Sequence, residues 1–416
     1  MRIIAYELKK IWNIKILGII IALSVIYFSL SMNDWIRLYS SGRWFGNVEL
    51  AHHLTENYGS SLSLEDFEDF LNYRDLIVAE LDQFFQANAF FAEMGILSFD
   101  DLQDFRGYYG SQFETLNDEE RNIWNAVFLE LGYIVRTEEY GDLTSENETP
   151  EAYNKINSFY NIVSFYHTNI TRETEWPSHI DSFIEWHQLN ESEYRRLTEI
   201  RDSGELTSIM THHTLFHTLR YARNLAALIV FVTLILVSTL VASDRASRVN
   251  WLQYSSKQGR RIFCKQFLAV LISAVGATTI LVIIFAGIFA ATTNAHAFWH
   301  NVINSFMGGS NFHWLSVTYG QYVLLMVGVM YLLSVGAAAL AFVLSRFSHN
   351  NIRLILKIIP LFVAIDMLSN RVLNNFLVVY IGGNSHMQVS LLVALMIAGI
   401  VTGIMVVRRE KRAELI

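Results

Sequence analysis

Residues 267–291 read FLAVLISAVGATTILVIIFAGIFAA, an uncharged stretch that decides the fold. Its 25 residues exceed the roughly 20 that an α-helix needs to cross the hydrocarbon core of a bilayer. Inside that core, only helices and closed barrels pair every backbone donor and acceptor. The stretch shows no alternation of polar and apolar residues, so it predicts a membrane-spanning helix rather than a barrel strand.

Similar stretches lie on both sides of it along the chain. The protein has 416 residues, of which 52% are hydrophobic and only 17% are charged, and the apolar residues are concentrated in blocks. We therefore expect an all-α membrane protein with six transmembrane helices. The predicted spans are residues 14–32, 222–243, 266–291, 317–345, 352–368 and 389–407.

The segment between the first two spans, residues 33–221, has the composition of a folded domain. Residues 33–222 carry 34 Asp and Glu against 12 Lys and Arg, and they contain no cysteine. Apolar residues recur at helical spacing, for example at Phe67, Phe70, Leu71, Ile77, Val78, Leu81, Phe84 and Phe85. Four pairs with the spacing of capping boxes predict helix starts: Ser63 with Asp66, Ser98 with Asp101, Asn117 with Glu120, and Asn190 with Glu193. We expect a helical domain held together by packing alone.

Charge near the ends of the spans predicts the orientation. Basic residues concentrate in residues 1–13, 244–265, 346–351 and 408–416, whereas the short loops 292–316 and 369–388 contain one, Arg371. Because positive residues near span ends stay in the cytoplasm, both termini are expected inside the plasma membrane and residues 33–221 outside it. Residues 1–13 have an amphipathic pattern and are predicted to form a helix in the membrane interface. The alternative for the first span is a cleaved signal peptide, with Ser29 and Ser31 as the small residues of its cleavage site.

Enzyme signatures are missing from the sequence. It contains no Gly-x-x-x-x-Gly-Lys-Ser/Thr run, no Gly-x-Ser-x-Gly elbow and no His-Glu-x-x-His helix. No polar segment on the expected cytoplasmic side exceeds about 25 residues, which leaves no room there for a catalytic domain. We therefore expect neither an enzyme nor a cofactor in this chain, and no nucleic-acid partner.

Two groups of residues are candidates for a site in or near the membrane. His212, His213 and His217 include an i, i+4 pair, which can bind a metal, although the same pattern is typical of exposed histidines before a span. Asp366 is an acid inside a predicted span, where carboxylates are costly and often functional, and it can equally mark the end of that span. Pro360 can kink the same helix as a gate would need.

The segment after the second span is the most informative one on the cytoplasmic side. It reads SDRASRVNWLQYSSKQGRRIFCK over residues 243–265. Asp244 supplies an acid at the end of a span, followed by Leu252, Ser255, Arg260 and Lys265. The order of spans and these five residues resemble the permeases of the ABC-2 transporter family. The alternative is a basic loop that only fixes the topology.

The resemblance implies one partner on the cytoplasmic side and another within the membrane. Residues 244–265, with Arg261 among them, would dock on a separate ABC ATPase subunit that binds the ATP, and Arg346 and Arg353 would form a second contact with it. Two permease copies, or this chain and a homologue, would form an export path in the lipid membrane. Two further hypotheses stay open: a mechanotransmitting ABC subunit that acts through its outer domain, and a membrane sensor or scaffold.

Overall fold

The computed structural model describes residues 2–41, 45–132, 135–137, 141–143, 150–246, 262–348, 351–379 and 385–412. The chain begins with a short helix α1 (Arg2–Ile11) and a long apolar helix. This second helix consists of α2 (Ile14–Tyr27), a π-helical turn (Phe28–Met32) and α3 (Asn33–Ser41), which follow one another without a break.

A helical domain follows. Its elements are α4 (Phe45–Tyr58), α5 (Leu64–Ala87), α6 (Ala89–Glu93), α7 (Phe99–Ser111), α8 (Asp118–Glu130), α9 (Glu151–Tyr166), α10 (His179–Trp186) and α11 (Glu191–Asp202). Between α8 and α9, two antiparallel strands, β1 (Val135–Thr137) and β2 (Gly141–Leu143), pair in the register Val135 to Leu143.

The predicted helix starts in this domain are confirmed. Ser63, Asn117 and Asn190 each form a complete capping box, in which the side chain accepts from the third helical residue and that residue's carboxylate accepts in return. Ser98 caps α7 by accepting from the backbone N–H of Asp101. The apolar stripe of α5 is also largely buried, with Phe70, Leu81 and Phe85 inaccessible to solvent.

The remaining helices form a bundle. They are α12 (His212–Ala246), α13 (Ile262–Thr292), α14 (Tyr319–Arg346), α15 (Asn351–Leu373) and α16 (Ser385–Arg412). We call the end where α12 ends and α13 begins the basic end, and the opposite end, where the helical domain lies, the domain end.

Five helices of the described residues are long and apolar enough to cross a membrane. They are Ile14–Ser40, His212–Ser238, Ile262–Thr292, Tyr319–Arg346 and Val389–Arg412. The prediction of an all-α, multi-pass membrane protein is therefore confirmed. The predicted fifth span, residues 352–368, lies inside α15 and is not among these five, because Arg353, Lys357, Asp366 and Arg371 interrupt its apolar character.

Small residues let the bundle helices approach closely. A Cβ atom on Gly399 of α16 would lie 2.9 Å from the carbonyl oxygen of Gly336 on α14. A Cβ atom on Gly403 would lie 2.5 Å from the ring of Phe267 on α13. Without a hydrophobic driving force between helices in lipid, such close backbone contact supplies the packing energy.

The π-helical turn in the first long helix is matched by a side chain of α12. A π turn inserts one residue into the helical ladder and displaces a backbone carbonyl from its usual partner. The side-chain amide of Asn224 donates to the carbonyl oxygen of Ser31 over 3.0 Å. This contact fixes the first helix against α12 at the π-helical turn.

The helical domain shares its core with the loop between α13 and α14. The backbone N–H of Phe306 donates to the carbonyl oxygen of Leu206, and the ring of Phe306 meets that of Tyr166 edge-on at 5.3 Å. A second cluster joins Ile180, Leu197 and Ile200 of α10 and α11 to Phe312 of this loop and to Val379, which follows α15. The domain is therefore packed onto the bundle rather than tethered to it.

Candidate functional site: the two ends of the bundle

A cluster at the basic end consists of three buried polar residues, Glu7, Gln266 and Arg346, and the exposed Phe347; we call it the Arg346 cluster. The guanidinium of Arg346, at the end of α14, donates to the side-chain oxygen of Gln266 on α13 over 2.7 Å. The side-chain nitrogen of Gln266 donates to the carboxylate of Glu7 on α1 over 3.3 Å. Glu7 and Arg346 are only 3% and 8% exposed. One chain of hydrogen bonds thus connects α1, α13 and α14.

Aromatic rings hold the arginine in place. The guanidinium carbon of Arg346 lies 4.1 Å from the ring centre of Phe263 and 5.6 Å from that of Phe342. Cation–π contacts of this kind gain strength when the cation is removed from water. An arginine placed in this way joins its helices through both its charge and its packing.

The next residue, Phe347, ties two more helices to the cluster. Its carbonyl oxygen accepts from the ammonium of Lys357 on α15 over 2.9 Å. Its ring lies 5.2 Å from the guanidinium of Arg409 on α16. The ends of α1, α13, α14, α15 and α16 therefore meet around two adjacent residues.

The predicted coupling residues fall into three groups. Leu252, Ser255, Arg260 and Arg261 lie outside the described residues. Asp244 lies in the last turn of α12, while Lys265 is partly exposed at the start of α13 and Arg353 is exposed near the start of α15. Arg346 is instead buried within its cluster, so its direct contacts are with this chain's own helices.

Sequence reasoning missed Glu7 and Gln266. The available signals were an acidic residue, Glu7, within the basic amino-terminal segment and an amide, Gln266, at the start of an apolar span. Both are polar residues at positions where the surrounding pattern predicts burial, and buried polar groups require partners.

A second cluster lies at the domain end and consists of the largely buried Arg196, Glu205, Asn304 and His313 and the exposed Ser316; we call it the Glu205 cluster. Arg196 and Glu205 form a bidentate pair with N–O distances of 3.2 and 3.1 Å, and their side chains are 6% and 11% exposed. The Glu205 carboxylate also accepts from Asn304 and Ser316, each over 2.6 Å. Arg196 and Glu205 belong to the helical domain and the other members to the loop between α13 and α14.

The environment of Glu205 keeps it charged. Burial alone would raise the pKa of this carboxyl, but the hydrogen bonds from Ser316 and Asn304 and the charge of Arg196 outweigh it, so the pKa lies below its ordinary value. The hydrogen bonds that Arg196 and Glu205 make to Asn304, His313 and Ser316 connect the domain to the loop and fix its orientation there.

His313 is the buried histidine of the Glu205 cluster. Its backbone N–H donates to the side-chain oxygen of Asn304, and its carbonyl oxygen accepts from Arg196. Burial, with repulsion from His212 and Arg196, lowers the pKa of its imidazole to about 3. The ring is therefore neutral at physiological pH.

The histidines predicted as a candidate metal site lie together at the start of α12. The rings of His212 and His213 are 5.8 Å apart, and His217 packs between Trp35 and Tyr39. Across the part of the chain that the structure describes, no group of three or more His, Cys, Asp and Glu residues is arranged to hold a metal ion. Aromatic contacts account for the positions of these rings.

Asp366 and Pro360 lie in α15. Asp366 is partly buried. The helix continues through Pro360 from Asn351 to Leu373.

These features define a multi-pass, all-α membrane protein with a helical domain packed on one end of its bundle. Compared with known proteins, the chain matches no protein-family model, no curated protein and no solved structure.

Proposed function

We propose that this chain is the membrane subunit of an ABC exporter, coupled to a separate ATPase and working as a dimer with a second copy or a homologue. The observation that carries the proposal is the Arg346 cluster. It joins five helix ends directly beside the point where residues 247–261 enter α13. A force applied to that basic segment by a partner would reach these helices together.

The proposed topology has six spans with both termini in the cytoplasm. Support for the fifth span, which is the one not among the five strongly apolar helices, comes from α15, which packs on α12 and α14. One face of α15 exposes apolar side chains at helical spacing: Ile352, Ile355, Leu356, Ile359, Val363 and Met367. A stripe of this kind at the surface of a membrane bundle is suited to contact with lipid. The basic end then faces the cytoplasm and the helical domain faces outward.

ATP work would drive a switch between two arrangements of the bundle. A partner that binds one arrangement more tightly shifts the equilibrium toward it, and rigid helices transmit the shift. In this scheme Asp244, Leu252, Ser255, Arg260, Arg261 and Lys265 dock on the ATPase. Arg353 makes a second contact, and Arg346 acts through its cluster. Asp366 and Pro360 are candidate gating residues, and ATP binds only to the partner.

The test is co-purification of the chain with the ATPase encoded next to it or captured with it from native membranes. Replacing Arg260 and Arg261 by Glu should reduce recovery of the ATPase by about tenfold, since charge reversal costs more than the 1.4 kcal/mol that this factor requires. The double replacement of the exposed Arg408 and Lys411 by Glu is the charge-matched control and should leave recovery unchanged. Equal recovery with both variants would reject the docking role of residues 244–265.

A second function is favoured by the Glu205 cluster. Because the helical domain is fixed rigidly to the outer loop of the bundle, movement of α13 and α14 would move the domain as well. The chain would then transmit ATP work to a partner outside the membrane rather than form a path through it. Arg196→Gln distinguishes the two functions, because it loosens the domain. If the chain is a mechanotransmitter, the variant should lose mechanotransmission while it still stimulates the ATPase. If the chain forms an export path, the variant should still transport its substrate.

A further inference from the structure

A cavity of about 90 Å³ lies among α12, α13 and α14 near the domain end. Its lining comes from the first turns of α12, the last turns of α13, the short helix Asn294–Phe298 with Trp299, and the first half of α14. The lining includes Leu225, Ala286, Val323, Met326 and Met330, so its surface is almost entirely apolar. Apolar cavities in proteins stay dry and bind apolar ligands.

The hydroxyl groups in the lining are satisfied within the protein. The hydroxyl of Thr218 donates to the carbonyl oxygen of Thr214 over 2.7 Å and pairs with the hydroxyl of Tyr319 at 2.8 Å. The hydroxyl of Tyr221 donates to the carbonyl oxygen of Phe285 over 2.7 Å. These groups therefore present their carbon atoms to the cavity and require no polar ligand.

Trp299 shapes the rim of the cavity. Its indole lies flat against Gly320, where a Cβ atom would approach the ring to 2.4 Å. The ring is partly exposed, as are Ala290 and His296 beside it. Tryptophan at this level is typical of the boundary between lipid and water.

The surface next to the rim faces lipid. Ile283 on α13 and Leu324 on α14 are exposed apolar residues on helices long enough to span a membrane. The molecule that surrounds the opening is therefore a membrane phospholipid. We propose that the part of one of its acyl chains next to the head group occupies the cavity, with the head group beside His296 and Trp299.

The size of the cavity fits this ligand. An engineered cavity of about 150 Å³ holds one benzene molecule, so the smaller volume here accepts a few methylene groups rather than a ring system. This inference depends on the membrane bundle alone and is independent of the proposed export function.

The experiment uses the full chain in vesicles that contain a phospholipid with a photoactivatable diazirine on one acyl chain, close to the head group. Cross-linked residues are mapped by mass spectrometry. We expect adducts on Met326, Met330 or Trp299, and we expect Ala286→Phe, which fills the cavity, to reduce them by about tenfold. Because Ala286→Phe can fail to fold, Ala290→Phe at the exposed rim is the second filling variant.

Gly287→Phe is the matched control. Gly287 is the neighbour of Ala286 on α13, and a Cβ atom there meets nothing within 4 Å, so the new ring points into lipid and should leave the adducts unchanged. A diazirine-labelled free fatty acid distinguishes the lipid source. The proposal is overturned if the phospholipid labels the cavity no more than the outer surface. It is also overturned if Ala290→Phe leaves the adducts unchanged, or if only the free fatty acid labels the cavity.

Discussion

At the scale of single residues, the Glu205 cluster shows how an ion pair within the helical domain can hold the loop between α13 and α14 through hydrogen bonds. Arg196 uses its guanidinium for Glu205, for the carbonyl oxygen of His313 and for Ser316. A guanidinium suits this role because its planar fork presents five donors in fixed directions. Lysine would supply the charge without that geometry.

Arg196→Gln should destabilise the protein by about 3–5 kcal/mol, because it leaves the Glu205 carboxylate buried without its cation. The measurement is the free energy of unfolding in detergent, together with the rate at which a protease cuts near residue 204. Arg195→Gln is the control, since Arg195 is 76% exposed and pairs with the exposed Glu191. It should change stability by no more than about 0.5 kcal/mol. Equal effects of the two variants would contradict the role of the cluster.

His313 should make stability depend on pH. Its pKa of about 3 in the folded protein lies below the ordinary 6.5 of a histidine, so between these values the unfolded chain binds one more proton than the folded one. Acidification through this window therefore destabilises the fold by about 1.4 kcal/mol per pH unit, or about 2 kcal/mol from pH 6.5 to pH 5. Thermal unfolding of wild type and His313→Leu at both pH values checks this. The stability of the variant should depend less on pH by this amount. An unchanged dependence of stability on pH would exclude His313 as its cause.

At the scale of elements, the packing of α14 on α16 depends on glycine. Gly399→Val should cost about 1–3 kcal/mol, because the new side chain meets the backbone of Gly336 and forces the helices apart. The thermal unfolding midpoint in detergent measures the effect. Gly287→Val introduces the same side chain into open space on α13 and controls for helix propensity. A loss of stability at both positions would mean that close packing is not the cause.

Local sequence patterns predicted the elements well where the signal lies within the residues of a single element. Capping pairs such as Asn190 with Glu193 predicted helix starts, because both partners lie in one turn. The five strongly apolar helices were also predicted, because a segment that is not part of a closed barrel can pair all of its backbone groups in lipid only as a helix. The two-stranded sheet at Val135–Leu143 was not predicted, because three-residue strands contain too little alternation to detect.

The candidate sites were harder to predict because their partners are distant in sequence. Gln266 contacts Glu7 across 259 positions, and Arg196 contacts the carbonyl oxygen of His313 across 117. Periodicity and spacing carry no information about such pairs. The sequence therefore predicted a coupling role for Arg346 but did not reveal that this residue is buried.

At the scale of the whole molecule, the single cysteine offers a direct test of orientation. Cys264 is exposed near the start of α13, at the basic end. If that end is cytoplasmic, a membrane-impermeant thiol reagent should label it in inverted vesicles but not in intact cells. The control is Ser111→Cys in a Cys264→Ser background, since Ser111 is exposed in the helical domain and should label from outside. Labelling of Cys264 in intact cells would reverse the proposed topology.

The shared core at the domain end has a practical consequence for anyone who wants this domain as a water-soluble reagent. A fragment cut at residues 33 and 211 would lack the loop around Phe306 and Phe312. The apolar surface that this loop covers would then be exposed to water. Such a fragment would aggregate during purification. Grafting residues 294–318 onto its carboxyl end through a flexible linker is the more promising design for raising antibodies or growing crystals.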